Sequence, residues 1–280
     1  MPDRMSKPEW WISSSENWSE LVYALSSLDI DLHSLHDKSS WKKVGIGLSQ
    51  NNFHLTFNKQ ELFVQFSSDD TEQKRPLLQT NQIYDFLKQL PSMQKWLHLP
   101  IYSSPSINLF LWIEQASHFI DASQFDEIQQ QCVAFFADLH RIEIDSNTNM
   151  KTLDMNTHID NYKHEALNKR PDMRSSIENH ASQARLCLIE YKPSCFCHND
   201  VSPTNVLLRD KDICVIDWEY ACIGDPVFDL AGFSYNFGLS PEHEIAFIND
   251  YQQKSSIEFS KSRFSVMKKL YHQLTQLWFY

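Results

Sequence analysis

The sequence predicts an α+β fold in two parts, a smaller β-rich part followed by a larger, mainly helical one. Alternating apolar residues between positions 41 and 66 indicate β-strands in the first part. Beyond residue 116, apolar residues recur at helical spacing over long stretches. Two short apolar runs, at residues 206–208 and 213–216, interrupt these helices and predict a β-hairpin. We therefore divide the chain into residues 1–115 and 116–280.

The composition is that of a globular, acidic protein. The chain has 280 residues, of which 42% are hydrophobic, and a formal net charge of −11. Nucleic acids and anionic membranes require basic surfaces, so this charge argues against both as partners. The sequence contains no run of about 18 apolar residues, and we expect no membrane insertion. Because the first residues lead to no apolar signal-peptide segment, we expect a cytoplasmic protein. Its oligomeric state is left open.

The first part is expected to contain a leading helix, a sheet and a second helix. The leading helix carries an apolar stripe from Trp18 to Leu28, with Ser15 or Asn17 as its cap. Strands are expected where apolar residues alternate or cluster, at residues 41–46, 53–57, 61–66, 99–102 and 109–113. The second helix is expected at residues 78–90, where Pro91 ends it.

The second part is expected to be mainly helical. Apolar stripes and end signals predict helices at residues 125–141, 157–168, 173–191, 226–237, from 240 onward, and 258–280. His140, near the end of the first of these, is interpreted as a packed helix-end residue. Ser240 followed by Pro241 is typical of a helix start, because the Ser side chain caps the first turn and Pro fits within it.

The six cysteines are interpreted as small, reduced core residues, because most of them lie in apolar surroundings. The pair Cys195-x-Cys197 is too closely spaced for a usual zinc pair, and no second pair of the right spacing follows it.

Three acidic and amide residues carry the predicted chemistry. Asp200 is followed by four residues and then Asn205, and Asp217 ends the apolar run of the hairpin. Phosphoryl transfer in kinase-like proteins requires this spacing, with one Asp for the acceptor hydroxyl and an Asn and a second Asp for metal. The hairpin brings Asn205 and Asp217 to the same end. The alternative, a chance cluster of buried acids in an ordinary α/β core, would need linked blocks in the correct order by accident.

Three blocks, His-Asn-Asp-x4-Asn at 198–205, Ile-Asp-Trp-Glu-Tyr-Ala at 216–221 and Gly-Asp-Pro-x-x-Asp-Leu-Ala at 224–231, closely resemble a known superfamily. It comprises choline kinases, thiamine kinases and aminoglycoside phosphotransferases, and the second block resembles bacterial choline- or thiamine-kinase-type members most. The resemblance implies a protein-kinase-like two-lobe fold, with residues 1–115 as the N-lobe and 116–280 as the C-lobe. It also implies ATP and Mg²⁺ as cofactors and a small alcohol as phosphoryl acceptor.

The resemblance also assigns roles to residues of these blocks. Asp200 is expected to be the catalytic base, and Asn205 and Asp217 are expected to bind Mg²⁺. Residues beside them are assigned supporting and acceptor-binding roles: support for His198 and Asp229, and acceptor contact for Trp218 and Glu219.

In the first part, the resemblance implies a nucleotide-binding hairpin loop whose backbone N–H groups cover the phosphates. The nucleotide-binding residues are expected to be Ser49, Gln50, Asn51, Asn52, Gln65 and, at the hinge, Glu114. Two positions depart from the family pattern. Gln65 replaces the usual strand cation, and Gln82 replaces its acidic partner on the next helix, so a charged pair becomes two amides.

The acceptor is expected to be a cationic alcohol of the choline, ethanolamine or thiamine type. The chain is acidic, and aromatic side chains at 220, 235, 271 and 278 provide ring faces that suit a fixed cation. One alternative is an aminoglycoside-type acceptor. Another is a catalytically silent kinase-like protein that binds nucleotide, which the two amides favour and the presence of Asp200, Asn205 and Asp217 opposes.

Overall fold

The computed structural model describes the chain in segments that form two compact units. Described are residue 8 and residues 15–30, 32–44, 51–57, 60–66, 77–104, 106–113, 117–118, 125–145, 150–209 and 212–280. The first unit comprises Met1–Gln94 and His98–Gln115, and the second comprises Lys95–Leu97 and Ala116–Tyr280.

The first unit is built on an antiparallel sheet with the strand order β1-β2-β3-β5-β4. Its strands are β1 (Trp41–Lys43), β2 (Asn51–Phe57), β3 (Gln60–Phe66), β4 (Tyr102–Ser103) and β5 (Ile107–Leu111). Helix α1 (Ser15–Ser27) precedes the sheet in sequence, and α2 (Leu77–Lys88) lies between β3 and β4 in sequence.

One face of this sheet packs against α1. Leu62, Val64 and Phe66 alternate along β3 and are buried in one cluster with Trp18 of α1. Burying each such side chain contributes roughly 1.5–3 kcal/mol, so this contact holds the sheet and helix together. Because side chains alternate along a strand, Gln65 lies on the opposite face of β3 from this core.

Two details predicted for the first part are wrong. Asn17 is not a helix cap, because α1 already begins at Ser15 and Asn17 lies buried in its first turn. The strand expected at 99–102 begins only at Tyr102, since Pro100 has no N–H group for a ladder hydrogen bond.

The second unit is mainly helical. Its helices are α3 (Phe125–His140), α4 (Met155–Lys169), α5 (Arg174–Cys187), α6 (Pro226–Asn236), α7 (Pro241–Ser255) and α8 (Lys261–Trp278). The apolar stripe predicted along α3 is buried. Ser240 caps α7 as predicted, since its hydroxyl accepts from the N–H of His243 at 3.2 Å.

The second unit also contains short strands, which flank the loops that carry Asp200 and Asp217. They are β6 (Ser117–His118), β7 (Cys195–Cys197), β8 (Val206–Arg209), β9 (Asp212–Val215) and β10 (Cys222–Gly224). Strand β7 pairs with β10, and β6, β8 and β9 form a second small sheet. Among the described residues, no helix is long and apolar enough to cross a membrane.

Candidate active site

The loop that follows β7 is anchored by one buried carboxylate. Asp229, on α6, accepts the backbone N–H of His198 on Oδ2 at 2.9 Å and that of Asn199 on Oδ1 at 2.8 Å. Asn199 has a positive φ of 65°, a conformation that Asn tolerates better than most residues. Asp229 also accepts from His140 Nε2 at 3.2 Å. The carboxylate therefore braces the loop.

The ring of His198 joins the loop to the strand end beyond β9. Its Nδ1 accepts the backbone N–H of Asp200 at 3.3 Å, so Nε2 carries the proton and donates to the carbonyl of Ile216 at 3.1 Å. The side chain is fully buried, and burial lowers the pKa of His198. A neutral ring thus joins two loops by hydrogen bonds.

Asp200 and Asn205 are brought into direct contact by a short 3-10 helix, Pro203–Asn205. Asn205 Nδ2 donates to the backbone oxygen of Asp200 at 2.9 Å and to its carboxylate Oδ2 at 3.1 Å. Asn205 is buried, whereas Asp200 is half-buried. The amide nitrogen thereby orients the carboxylate, and the amide oxygen of Asn205 takes no part in these two hydrogen bonds.

Asp217 follows β9 at the same end of the hairpin. The N–H of Ile216 donates to the carbonyl of Asn205 at 2.9 Å, which joins the two loops one residue before Asp217. Asp217 has a φ of 63°, a backbone angle that is uncommon for residues other than Gly but that Asp, like Asn, adopts more readily than most. Left-handed backbone conformations in residues other than Gly cluster at active sites, where they hold a side chain in a required orientation. An amide oxygen and a carboxylate are ligands that Mg²⁺ prefers, so Asn205 and Asp217 fit that ion.

The prediction that Trp218 contacts the acceptor is wrong. Trp218 is fully buried, and its ring lies 6.4 Å from that of Phe196 and 6.2 Å from that of Phe135. Its indole N–H donates to the carbonyl of Val215 at 3.1 Å. Trp218 therefore supports the hairpin from inside the core. Glu219, the next residue, is half-buried.

Partly exposed aromatic side chains lie in the second unit, which also contains the loop that carries Asp200. We call them the aromatic cluster: Tyr162, Tyr220, Tyr235, Tyr271 and Trp278. The ring centroids of Tyr162 and Trp278 are 5.4 Å apart, and those of Tyr235 and Tyr271 are 5.7 Å apart. Burial, followed by the negative charge of Asp200, raises the pKa of the Tyr271 hydroxyl, which places this ring close to residues 198–205, the candidate catalytic loop.

Tyr271 is held in place by two residues of α6. Asn236 Nδ2 donates to the Tyr271 hydroxyl at 2.7 Å and lies 3.4 Å from the carbonyl of Val201, next to Asp200. Gly232 leaves the room for the ring, because a Cβ there would lie 2.5 Å from Cε2 of Tyr271. Sequence reasoning missed both residues of α6. The signal was an Asn and a Gly within the helix that also carries Asp229.

In the first unit, amide side chains occupy neighbouring positions across the sheet. Asn52, Gln65 and Asn108 are partners in the register of β2, β3 and β5. Asn108 Nδ2 donates to Gln65 Oε1 at 3.1 Å, and Ser103 donates to Asn108 Oδ1 at 2.6 Å. Among the described residues, Asn52 Oδ1 is a buried atom without a hydrogen-bond partner. We call this set the amide row.

Within the amide row, Gln65 has a hydrogen-bond partner other than the predicted Gln82. Gln65 is bonded to Asn108 on the next strand, whereas Gln82 is exposed on α2. Asn108 was missed because its partner is distant in sequence, although a lone Asn in an apolar strand was a signal. Asn51 begins β2 and pairs with Phe66 through the backbone. The other predicted nucleotide-binding residues, Ser49, Gln50 and Glu114, lie outside the described residues.

Comparison with known sequences identifies related proteins. Residues 40–264 match the sequence model of a family described as the phosphotransferase enzyme family. Over 87 residues, the chain is 36% identical to protein LicA of Haemophilus influenzae. This match covers 30% of the chain and 32% of LicA, so it spans about a third of that relative.

Solved structures resemble the chain over most of its length. The crystal structure of choline kinase LicA from Streptococcus pneumoniae has a TM-score of 0.74 at 19% identity, covering 95% of this chain and 90% of that one. A spectinomycin phosphotransferase, solved with ADP and spectinomycin, has a TM-score of 0.59 at 12% identity, with coverages of 85% and 79%. The likeness confirms the predicted protein-kinase-like fold, with a small antiparallel sheet lobe and a helical lobe.

Proposed function

This chain belongs to the phosphotransferase enzyme family, and we propose that it is an ATP-dependent kinase that phosphorylates the hydroxyl group of choline. The predicted enzyme class, a small-molecule phosphotransferase, is confirmed at the level of the family. One observation carries the proposal for this chain. The Asp200–Asn205 pair and Asp217 lie at one end of a braced hairpin, and the aromatic cluster reaches that loop through Tyr271.

Asp200 would accept the proton of the acceptor hydroxyl as the oxygen attacks the γ-phosphate. The transition state of phosphoryl transfer is loose, so orientation of the alcohol matters more than basicity. Asn205 fixes one carboxylate oxygen of Asp200, and Asp229 fixes the backbone on the preceding residues. These contacts hold Asp200 in position before the substrates bind.

Asn205 and Asp217 would hold Mg²⁺. The amide nitrogen of Asn205 is already bonded to Asp200, which leaves its oxygen for the ion. When bound, Mg²⁺ would neutralise negative charge on the nucleotide phosphates.

The amide row of the first unit would contribute to nucleotide binding. Gln65 lies on the sheet face opposite the apolar core, and the resemblance implies a cation at this position. An amide can donate a hydrogen bond to a phosphate oxygen but adds no charge. Nucleotide affinity would therefore depend more on backbone groups and metal than on a strand cation.

The aromatic cluster supports a cationic acceptor. A fixed cation has no proton to lose, so its recognition depends on ring faces and carboxylates. A contact between a cation and a ring contributes roughly 0.5–2 kcal/mol, depending on how far the cation is desolvated. The half-buried rings of Tyr162, Tyr271 and Trp278 offer such faces in the same lobe as Asp200.

A competition series tests the proposal. Purified protein with ATP and Mg²⁺ would be offered choline, ethanolamine, thiamine, an aminoglycoside and 3,3-dimethylbutan-1-ol, the uncharged shape analogue of choline. We expect choline to have the highest kcat/KM, about 2- to 30-fold or more above the uncharged analogue, as the cation–ring energies imply. Equal use of the uncharged analogue would overturn the cationic acceptor. Preference for thiamine or the aminoglycoside would replace choline by that substrate.

A further inference from the structure

A second cluster of reactive side chains lies in the core of the helical unit. It consists of His140, the last residue of α3, and Cys195 and Cys197 of β7, and all three residues are buried. Residues i and i+2 of a strand point to the same face, so both thiols face α3. The candidate ligand atoms of the three residues all lie within 4.8 Å of one another. The proposed kinase mechanism uses none of these three groups as a ligand or base.

The spacing of the two sulfur atoms matches metal coordination. Cys195 Sγ and Cys197 Sγ are 3.7 Å apart. In a tetrahedral site with Zn–S bonds of about 2.3 Å, two sulfur ligands are separated by roughly 3.7–3.8 Å. The sulfur atoms would therefore need little movement to bind one ion. Cys-x-Cys spacing alone argued against a zinc pair, but it could not show that α3 brings a histidine to the same place.

We propose that His140, Cys195 and Cys197 form a binding site for a thiophilic divalent cation, with Zn²⁺ as the biological candidate. Binding would release both thiol protons and leave two thiolates and a neutral imidazole around the ion. The charges of Zn²⁺ and two thiolates sum to zero, so the filled site carries no net charge. A neutral site suits a buried position, where an isolated charge is costly. Without a cation, burial raises the pKa of the Cys197 thiol and favours its protonated form.

The hydrogen bonds of His140 suit a metal ligand. Its Nε2 lies 3.2 Å from Asp229, which orients the ring, and Nδ1 lies 2.7 Å from the hydroxyl of Tyr251. Ligating histidines usually donate their other N–H to a carboxylate in this way. The ion would replace the Tyr251 hydroxyl at Nδ1. Because Asp229 also anchors the catalytic loop, occupancy of this site would stiffen the loop.

The test uses the full chain, unfolded with a chelator and refolded with or without Zn²⁺ in the absence of Mg²⁺. After excess metal is removed, we expect about one Zn²⁺ per chain by elemental analysis and a higher Tm than for the metal-free form. Cd²⁺ provides a second probe, since a Cd–thiolate bond gives an ultraviolet charge-transfer band. A wild-type chain that binds neither ion would overturn the proposal without any variant.

Variants then locate the ion. Mutating a residue that only supports a metal ligand lowers metal affinity by about 10- to 100-fold. Cys195→Ala and Cys197→Ala each remove a ligand, so each should weaken Zn²⁺ binding by more than that and should abolish the Cd²⁺ charge-transfer band. Cys132→Ala removes a buried thiol on α3 that is not part of the cluster. This variant should keep wild-type Zn²⁺ affinity and the Cd²⁺ band. Circular dichroism of the metal-free chains verifies folding. Equal binding by wild type and both cluster variants would place the metal elsewhere and refute the assignment.

Discussion

Asp229→Asn is the substitution that best separates loop positioning from overall stability. The carboxylate accepts three hydrogen bonds, from the backbone of His198 and Asn199 and from the ring of His140. Asn keeps the size of the side chain but replaces one oxygen by a donor. The least costly orientation keeps an oxygen at the Oδ2 position, which serves two donors. The N–H of Asn199 then faces an NH₂ group.

The expected loss of stability follows from the one acceptor that the N–H of Asn199 loses. A buried donor left without a partner costs about 1–3 kcal/mol, so the free energy of unfolding should fall by that amount in a urea titration. Asn199 would also lose the contact that holds its positive φ, and Asp200 would shift with it. A misplacement of about 1 Å can lower a rate by roughly 100-fold, so kcat should fall far more than nucleotide affinity.

Asp225→Asn is the matched control. Asp225 is another fully buried carboxylate at the start of α6, and it accepts from the backbone of Lys192 and Val227 and from the side chain of Arg263. Its partners lie outside the catalytic loop. Asp225→Asn should lower the free energy of unfolding at least as much as Asp229→Asn does. At a temperature where both variants are folded, however, Asp225→Asn should keep kcat near the wild-type value. An equal fall in kcat, or an unchanged kcat in Asp229→Asn, would refute the positioning role.

Gly232→Ala should raise the KM for the acceptor and affect nucleotide binding less, because the added methyl group would displace the Tyr271 ring. Such overpacking should lower the free energy of unfolding by about 1–3 kcal/mol. Unchanged steady-state kinetics would contradict this prediction. Gln65→Ala should weaken ATP binding by about 1 kcal/mol in calorimetry, and complete loss of activity would instead show a dedicated role for the amide. Wild-type stability should fall as the pH drops below about 6.5. Burial lowers the pKa of His198, so the unfolded chain takes up that proton first. Chemical denaturation of His198→Asn should show a weaker pH dependence, and an unchanged one would exclude this ring as the source.

The sequence predicted the parts of the site that are encoded locally. The Asp200–Asn205 spacing, the apolar runs of the hairpin and the stripe of α3 each depend on residues close together in the chain. Such patterns determine strand pairing and helix faces directly. The structure accordingly places Asn205 and Ile216 in hydrogen-bond contact at one end of the hairpin.

What the sequence could not predict depends on packing between distant elements. Trp218 follows Asp217 in a loop. A loop has no regular periodicity of apolar residues, so the sequence could not show which of its side chains is buried. The bond between Gln65 and Asn108 joins residues 43 positions apart, and His140 meets Cys195 only after α3 packs on β7. These contacts follow from sheet register and helix placement, which local spacing does not encode.

The most direct test of the account is the rate of choline phosphorylation by Asp200→Asn compared with wild type. The variant keeps the shape of the side chain but removes the proton-accepting carboxylate. We expect kcat to fall by about 10²–10⁴-fold, the usual contribution of a general base, while Mg²⁺-dependent nucleotide binding is retained. A folded Asp200→Asn protein that phosphorylates choline at the wild-type rate would contradict the assignment of this loop as the active site.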